Sequence, residues 1–297
     1  MKRFKVLFLF LFLLIMGNFP FFLKAQPSEN FNFNPGRPGF TTGSNPLILH
    51  TLSVETSFTF MVKNKNNWSW SNFNSLRYSP ISRLELNLGV GYAQKHENIR
   101  DRKEYNTIKS MTPLSIGAKV NVLRKNQKGK PGIALYASLA LPIGIHSQDL
   151  VEECTGVWGA PTLGFFMDHN FEDRFGLSYN LLATWYTQSS NLMDLNYSIN
   201  GNYNISDRMS VYIEFIGTSS LFSSMNIENL ELHYSKEHLF NMHWNAGFSA
   251  YITKALQFDL SVGVLVGEWW EGKKEKDGSS FWTEIGLSYG IPLRKAS

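Results

Sequence analysis

The feature that most constrains this chain is a series of short segments in which apolar and polar residues alternate. Residues 84–92 carry an apolar side chain at every even position, with Glu85, Asn87 and two glycines between them. Successive side chains of a β-strand point to opposite faces, so this period of two indicates strands with one apolar and one polar face. Strands of about ten residues with this pattern are typical of a transmembrane β-barrel, with lipid outside and a polar interior.

Similar tight turns rejoin these segments, at residues 79–83, 170–174, 204–208 and 251–255. Together with longer polar intervals they define about twelve strands, near 50–62, 67–79, 83–95, 109–123, 132–145, 157–170, 174–187, 192–204, 208–219, 239–252, 255–268 and 280–292. The prediction is an all-β, antiparallel, up-and-down barrel over residues 50–297. The short turns and both termini would lie in the periplasm, and longer loops near 96–108, 146–156, 220–238 and 269–279 outside the cell.

The start of the chain predicts export. Lys2, Arg3 and Lys5 precede an apolar run over residues 6–16, and Ala25 ends a small-residue cleavage site. Residues 1–25 are therefore interpreted as a cleaved signal peptide. An anchoring helix would need about twenty continuous apolar residues, but Gly17, Asn18, Pro20 and Lys24 interrupt this stretch. The expected location is the bacterial outer membrane.

Charge and cysteine content exclude several classes of function. The chain has 28 Lys and Arg against 24 Asp and Glu, and four of the cations lie in the predicted signal peptide. The mature chain is therefore neutral, which gives no support to nucleic-acid binding. Cys154 is the single cysteine, so neither an internal disulfide nor a thiolate metal cage is possible. The histidines show no metal-site spacing, and no metal or cofactor is predicted.

Tryptophans mark the expected membrane interface, where indole rings collect. Seven of the eight lie at strand ends that the strand count places at the outer rim: Trp68, Trp70, Trp158, Trp185, Trp269, Trp270 and Trp282. Trp244 lies deeper. A soluble β-sandwich, the alternative all-β fold, gives no reason for aromatics to gather at one end of successive strands.

The last strand fits the pattern by which barrel assembly machinery recognises its substrates. Glu284, Gly286, Tyr289 and Ile291 occupy its polar, glycine, aromatic and hydrophobic positions. An ordinary closing strand that fits by chance is the alternative. The expected partners are therefore this machinery, outer-membrane lipid and a small solute that the sequence does not identify.

The mature N-terminus carries a more specific likeness. Residues 37–44 read Arg-Pro-Gly-Phe-Thr-Thr-Gly-Ser, and a strand with Glu55 and Thr56 follows. This opening resembles that of the family described as "Putative MetA-pathway of phenol degradation", in which Asp-Arg-Pro precedes a Glu-Thr-Gly-Phe strand. Gly36 and Ser57 depart from that pattern. The resemblance implies a barrel related by analogy to outer-membrane channels for hydrophobic compounds.

Alternation assigns nine ionisable residues to the inner face. They are Glu55, Arg77, Glu85, Lys119, Asp194, Glu214, His243, Asp259 and Glu284. Two interpretations stay open. The residues could line a pore whose mixed charges order water and bias passage of a solute, or form a hydrogen-bonded network that fills a narrow barrel.

The segment 26–49 is rich in Asn, Pro and Gly and lacks strand periodicity. It is interpreted as a periplasmic tail or a plug in the lumen, and Arg37 is the candidate to pair with lumen acids such as Glu55. A surface turn built from the neighbouring prolines and glycines is the alternative for Arg37.

These observations predict a passive outer-membrane channel for small molecules, hydrophobic or aromatic ones among them. Gating by the N-terminal segment or by the loop near 220–238 is part of this hypothesis. A structural or surface-interaction barrel with a closed lumen is the first alternative. A barrel lipid hydrolase is the second, but no Ser-His pair with an orienting residue can be assigned, so no catalytic residues are predicted.

Overall fold

A computed structural model describes residues 41–293, except for short gaps at 65–66, 100–103, 125–129, 144–158, 172–173, 187–190, 229–230, 271–272 and 275–279. The predicted signal peptide, Arg37, Trp158 and the predicted loop 146–156 lie outside the described residues. Within them, no helix is long and apolar enough to cross a membrane.

The described chain forms one antiparallel sheet. Its strands are β1 (Thr51–Asn64), β2 (Asn67–Ile81), β3 (Leu84–Ile99), β4 (Glu104–Met111), β5 (Leu114–Leu123), β6 (Gly132–Leu141), β7 (Ala160–Phe171), β8 (Phe175–Trp185), β9 (Asn191–Ser206), β10 (Met209–Glu228), β11 (Glu231–Tyr251), β12 (Leu256–Trp270), β13 (Lys273–Lys274) and β14 (Phe281–Pro292). Neighbours in sequence are neighbours in the sheet, and β14 pairs with both β1 and β12, which closes it.

Thirteen of these segments make the twelve strand positions of the barrel wall, which confirms the predicted fold and strand number. β4 and β5 both pair with β3 and share one place in the wall. They are separated at Thr112 and Pro113 because proline has no N–H to donate to the ladder. β13 is a two-residue extension on β12.

The predicted outer loop near 220–238 is wrong. β10 and β11 run on through it as a hairpin that pairs from Leu221 with His238 to Glu228 with Glu231. Among the described residues, neither strand pairs with its other neighbour beyond Phe222 and Leu239. The hairpin therefore runs on past these last described pairs by about 20 Å, at roughly 3.4 Å per residue. Alternation could not reveal it, because a ladder outside the membrane does not need one apolar face.

The two faces of the wall differ as the alternation predicts. Outward positions keep large apolar side chains exposed, such as Val54, Leu86 and Ile213. Their neighbours Glu55, Glu85 and Glu214 are buried inside. The molecule thus holds its polar side chains in the centre, as a membrane barrel does and a soluble sandwich does not.

Among the described tryptophans, Trp282 departs from the predicted rim, while Trp244 lies deeper, as the sequence predicted. Trp282 lies at the outer end of β14 but is only 3% exposed, and its indole contacts His243 edge-on, with ring centroids 5.3 Å apart. It faces the lumen and therefore is not an interface anchor. Trp244 faces outward in mid-strand and packs edge-on against Phe215.

Candidate functional site

The lumen near the start of β1 contains a buried cluster of four charged side chains on adjacent strands. Arg77 of β2 lies between Glu55 of β1 and Glu85 of β3, with nitrogen-oxygen distances of 2.6 Å and 2.8 Å. A second guanidinium bond, from Nε to Glu85, measures 2.9 Å. Lys119 Nζ of β5 lies 3.4 Å from Glu85. The charges balance within the cluster, which is what buried ions require.

A second polar group lines the lumen on β10, β11, β12 and β14. Asn245 of β11 donates to Glu214 of β10 over 3.2 Å. Gln257 donates to Asp259, its neighbour on the same face of β12, over 2.6 Å. Glu284 of β14 is buried nearby in the ladder, since its partner in β12 is Ser261, two residues after Asp259. This side of the lumen is therefore acidic.

The remaining predicted lumen residues are only half-buried. Asp194 accepts a hydrogen bond from the Tyr186 hydroxyl over 2.6 Å. His243 contacts Trp282. The structure thus brings together Glu55, Arg77, Glu85 and Lys119, and it keeps Asp194 and His243 apart from that cluster.

Residues 41–47, here called the lumen segment, lie inside the barrel against these walls. Backbone N–H groups of the segment donate to three carboxylates: Thr41 to Glu214, Ser44 to Asp168 over 2.7 Å, and Leu47 to Glu85 over 2.9 Å. A carboxylate bonded to N–H groups is a charge-assisted acceptor, which makes these bonds stronger than neutral ones. Asp168 and Glu214 lie outside the Arg77 cluster, so the segment gives them donors that the cluster does not supply.

The segment also presents carbonyl groups to wall donors. Lys119 Nζ donates to the carbonyls of Gly43 and Asn45, both over 3.2 Å, and Asn121 donates to that of Ser44. In the amide orientation that suits its neighbours, Asn180 bonds both the N–H and the carbonyl of Thr42. The Thr41 hydroxyl also donates to the Ser198 hydroxyl. The wall side chains that bond the lumen segment therefore come from six strands, β3, β5, β7, β8, β9 and β10.

One apolar contact completes the seat of the segment. Leu47 and Ala255, in the turn before β12, are each 2% exposed and pack together, with Tyr251 and Tyr289 against them. The chain then reverses at His50, which has a φ of 58°, and enters β1. The bond from Thr51 N–H to the Ile48 carbonyl, 3.0 Å, closes this turn.

Aromatic side chains line the lumen by lying on glycines of the neighbouring strands. The Trp282 indole occupies the space that a side chain at Gly263 would take, and the Tyr212 ring does the same at Gly247. Phe73 lies over Gly89 and stays 42% exposed. Because each glycine lets a ring lie flat, the aromatics coat the wall rather than cross the lumen.

Sequence reasoning missed several of these residues. Asp168 was not among the predicted lumen residues, yet it is 3% exposed and accepts a hydrogen bond from the Ser44 N–H group. Thr41, Ser44 and Leu47 were not singled out, whereas Arg37 was and lies outside the described residues. One signal was present: the inner face carries more acids than cations, so further donors had to come from elsewhere in the chain.

The predicted assembly signal lies on β14, which closes the barrel between β1 and β12. Glu284 and Gly286 are buried, while Tyr289 and Ile291 are half-buried. Recognition of this strand by assembly machinery stays a prediction.

Comparisons with known proteins agree with this architecture. The family described as "Putative MetA-pathway of phenol degradation" matches residues 35–283. An outer membrane channel from Pseudomonas putida F1 superposes with a TM-score of 0.59 at 13% identity, over 86% of this chain and 99% of that one. The NanC porin superposes with a TM-score of 0.51 at 7% identity, over 80% and 98%. A search of curated proteins finds no match.

Proposed function

The chain belongs to the family described as "Putative MetA-pathway of phenol degradation". On that premise we propose that it is a passive outer-membrane channel for small molecules. Residues 26–49 act as its plug. The observation that carries the proposal is the lumen segment, bonded to inner-face side chains of six strands. A barrel whose own wall side chains permanently filled the lumen would not need an inserted segment to close it.

The attachment of the segment suits a reversible plug. Most of its bonds join one backbone group to one wall side chain, and Leu47 is its buried apolar contact. If the segment leaves, water can replace the backbone partners of the wall acids. The Arg77 cluster would persist, because its four side chains belong to the wall alone. The closed and open states would thus share one barrel.

The plug occupies the periplasmic end. β1 begins opposite the end of β14, with Thr51 paired to Pro292. The tight turns before β3, β10 and β12 lie at the same end, because the strands alternate in direction. Short turns face the periplasm in outer-membrane barrels. A solute from outside would therefore meet Trp282 near the outer end of β14 before it reaches the plug.

The aromatic lining favours hydrophobic or aromatic solutes. Phe73 presents ring surface to the lumen at 42% exposure, and Tyr212 and Trp282 lie buried in the same wall. Aromatic rings attract one another in offset or edge-on geometry. The charges on the same wall would keep water in the pore, so that the solute moves along a mixed surface. The family description, which names phenol degradation, points the same way.

The alternative is a surface-interaction barrel whose lumen stays closed. The observation in its favour is the β10–β11 hairpin, which extends past its neighbours. A lipid hydrolase gains no comparable support: the outward His169 stacks on Phe171, with centroids 5.9 Å apart, and so makes an aromatic contact.

Single-channel conductance in a planar bilayer tests the proposal. The mature protein is compared with a variant that lacks residues 26–47 and keeps the turn into β1, and folding of both is checked by heat-modifiable gel mobility. Conductance that appears or rises on deletion supports a plugged channel. Equal conductance in both contradicts the plug. No conductance in either protein contradicts the channel hypothesis and favours the surface-interaction barrel.

A further inference from the structure

A small polar patch interrupts the lipid-facing wall of β1 and β2. Thr56, Asn72 and Asn74, here called the outer patch, alternate with the inward Glu55, Ser57 and Arg77 and therefore point outward. Thr56 pairs with Asn74 in the ladder, and Asn72 pairs with Phe58. The neighbours Val54, Phe58 and Leu76 are exposed and apolar. Two amides and a hydroxyl thus lie within an apolar surface.

The patch is hydrogen-bonded within itself. The Thr56 hydroxyl donates to the side-chain oxygen of Asn74 over 2.9 Å. The Asn74 side-chain amide donates in turn to the side-chain oxygen of Asn72 over 2.6 Å. Asn72 donates to the Ser57 backbone carbonyl over 2.8 Å. Each amide has two N–H donors and an oxygen with two lone pairs. The patch can therefore accept and donate further bonds outward.

The depth of the patch rules out the water interface as its partner. Toward the outer rim, Trp70 and the tilted pair Phe60–Trp68 lie above it, in the position of an interface girdle. Toward the periplasm, Val54 and Leu76 continue the apolar surface. Hydrocarbon chains cannot bond an amide, so polar groups at this depth are expected to contact protein.

We infer that the outer patch is the centre of an interface between two copies of this chain. A second copy carries the same groups at the same depth, and a two-fold axis along the membrane normal brings the patches face to face. Amides and hydroxyls are self-complementary, since each both donates and accepts. A single self-complementary surface gives a closed dimer. The flanking Val54, Leu76 and Leu287 would pack around this polar centre.

Disulfide trapping in cell outer membranes tests the inference. In a Cys154→Ser background, Leu76→Cys places a reporter beside the patch, and Leu181→Cys on β8 is the matched control at similar exposure, 45% against 43%. Oxidation is expected to yield a species of twice the mass from Leu76→Cys, at about fivefold or more above the control, if interface bonds are worth what polar contacts in membranes usually are.

A second variant set keeps the test decisive. Thr56→Val, Asn72→Val and Asn74→Val together should remove the trapped dimer and leave a monomer by light scattering in mild detergent, with heat-modifiable mobility unchanged. Equal trapping at both reporters, or a monomeric parent protein, overturns the inference. A trapped species of some other mass also overturns it, because the partner would then be a different protein.

Discussion

Leu47 and Ala255 lie in contact at the periplasmic end of the barrel, each 2% exposed, although one belongs to the lumen segment and the other to the turn between β11 and β12. This contact joins the N-terminal segment to the turn between β11 and β12, outside the Arg77 cluster. It is the apolar part of a seat that is otherwise made of hydrogen bonds, and it can be changed without altering the wall.

Leu47→Ala is expected to open the channel more often. Loss of a buried leucine side chain costs about 2 kcal/mol or more, and this change falls only on the seated state of the segment. A shift of about 2 kcal/mol is roughly thirtyfold in the ratio of seated to released segment. Open probability in planar bilayers measures it. Leu49→Ala, at a residue 45% exposed, is the control. Equal open probability in the two variants would show that the Leu47 contact does not hold the segment in the lumen.

Arg77→Leu is expected to destabilise the barrel strongly. It leaves Glu55 and Glu85 close together inside the wall with only Lys119 nearby. Removing one partner of a buried ion pair costs about 3–5 kcal/mol. Urea unfolding in lipid vesicles measures the loss. Arg83→Leu, at an exposed turn residue, should change the free energy of unfolding by no more than about 0.5 kcal/mol. A similar small change at Arg77 would mean that the cluster contributes little.

The opened pore is expected to select cations. Among the described residues, the buried charged side chains are the acids Glu55, Glu85, Asp168, Glu214, Asp259 and Glu284 and the cations Arg77 and Lys119. Without residues 26–47, three of these acids lose their backbone partners and face water. The reversal potential in a salt gradient measures selectivity, and Glu214→Gln with Asp259→Asn should reduce it. Anion selectivity of the deletion variant would contradict the expectation that the buried acids set the charge of the open lumen.

Gly263→Ala is expected to displace Trp282 from the wall. The indole occupies the space of the added methyl group, so the ring must move toward the lumen or the backbone must shift. Overpacking of this kind costs about 1–3 kcal/mol and should lower conductance of the unplugged pore. Gly201→Ala is the control, because its nearest neighbours lie at 4.0 Å. An unchanged Trp282 emission spectrum would show that the ring does not rest there.

Replacing residues 223–236 by a short Gly-Ser turn should leave the barrel intact. Among the residues that the structure describes, this part of the hairpin pairs with no other strand, so its loss should change the free energy of unfolding by less than about 1 kcal/mol. Heat-modifiable mobility and conductance check this. If conductance changes while folding does not, the hairpin takes part in gating after all, as the sequence hypothesis allowed for this region.

Alternation like that of Leu84, Leu86 and Leu88 with Glu85 and Asn87 predicted the two-faced strands and their inward acids, and the recurring turns predicted the strand number. These properties are local, since the face of a side chain depends only on its position along one strand. The same reasoning was wrong where the polarity of a residue does not match its surroundings in the fold. Trp282 reads as an interface anchor from its place at a strand end, and residues 220–238 read as a loop from their mixed composition.

The sequence by itself determined the two-faced strands, the closed antiparallel sheet and the balance of charges, because each follows from local patterning and composition. Only the tertiary structure decided that Asp168, Lys119 and Glu214 meet the backbone of residues 41–47, and that Arg77 bridges Glu55 and Glu85. Those contacts depend on strand register and barrel closure, which bring together residues distant in the chain. A segment without periodicity carries no local signal of the wall that it will contact.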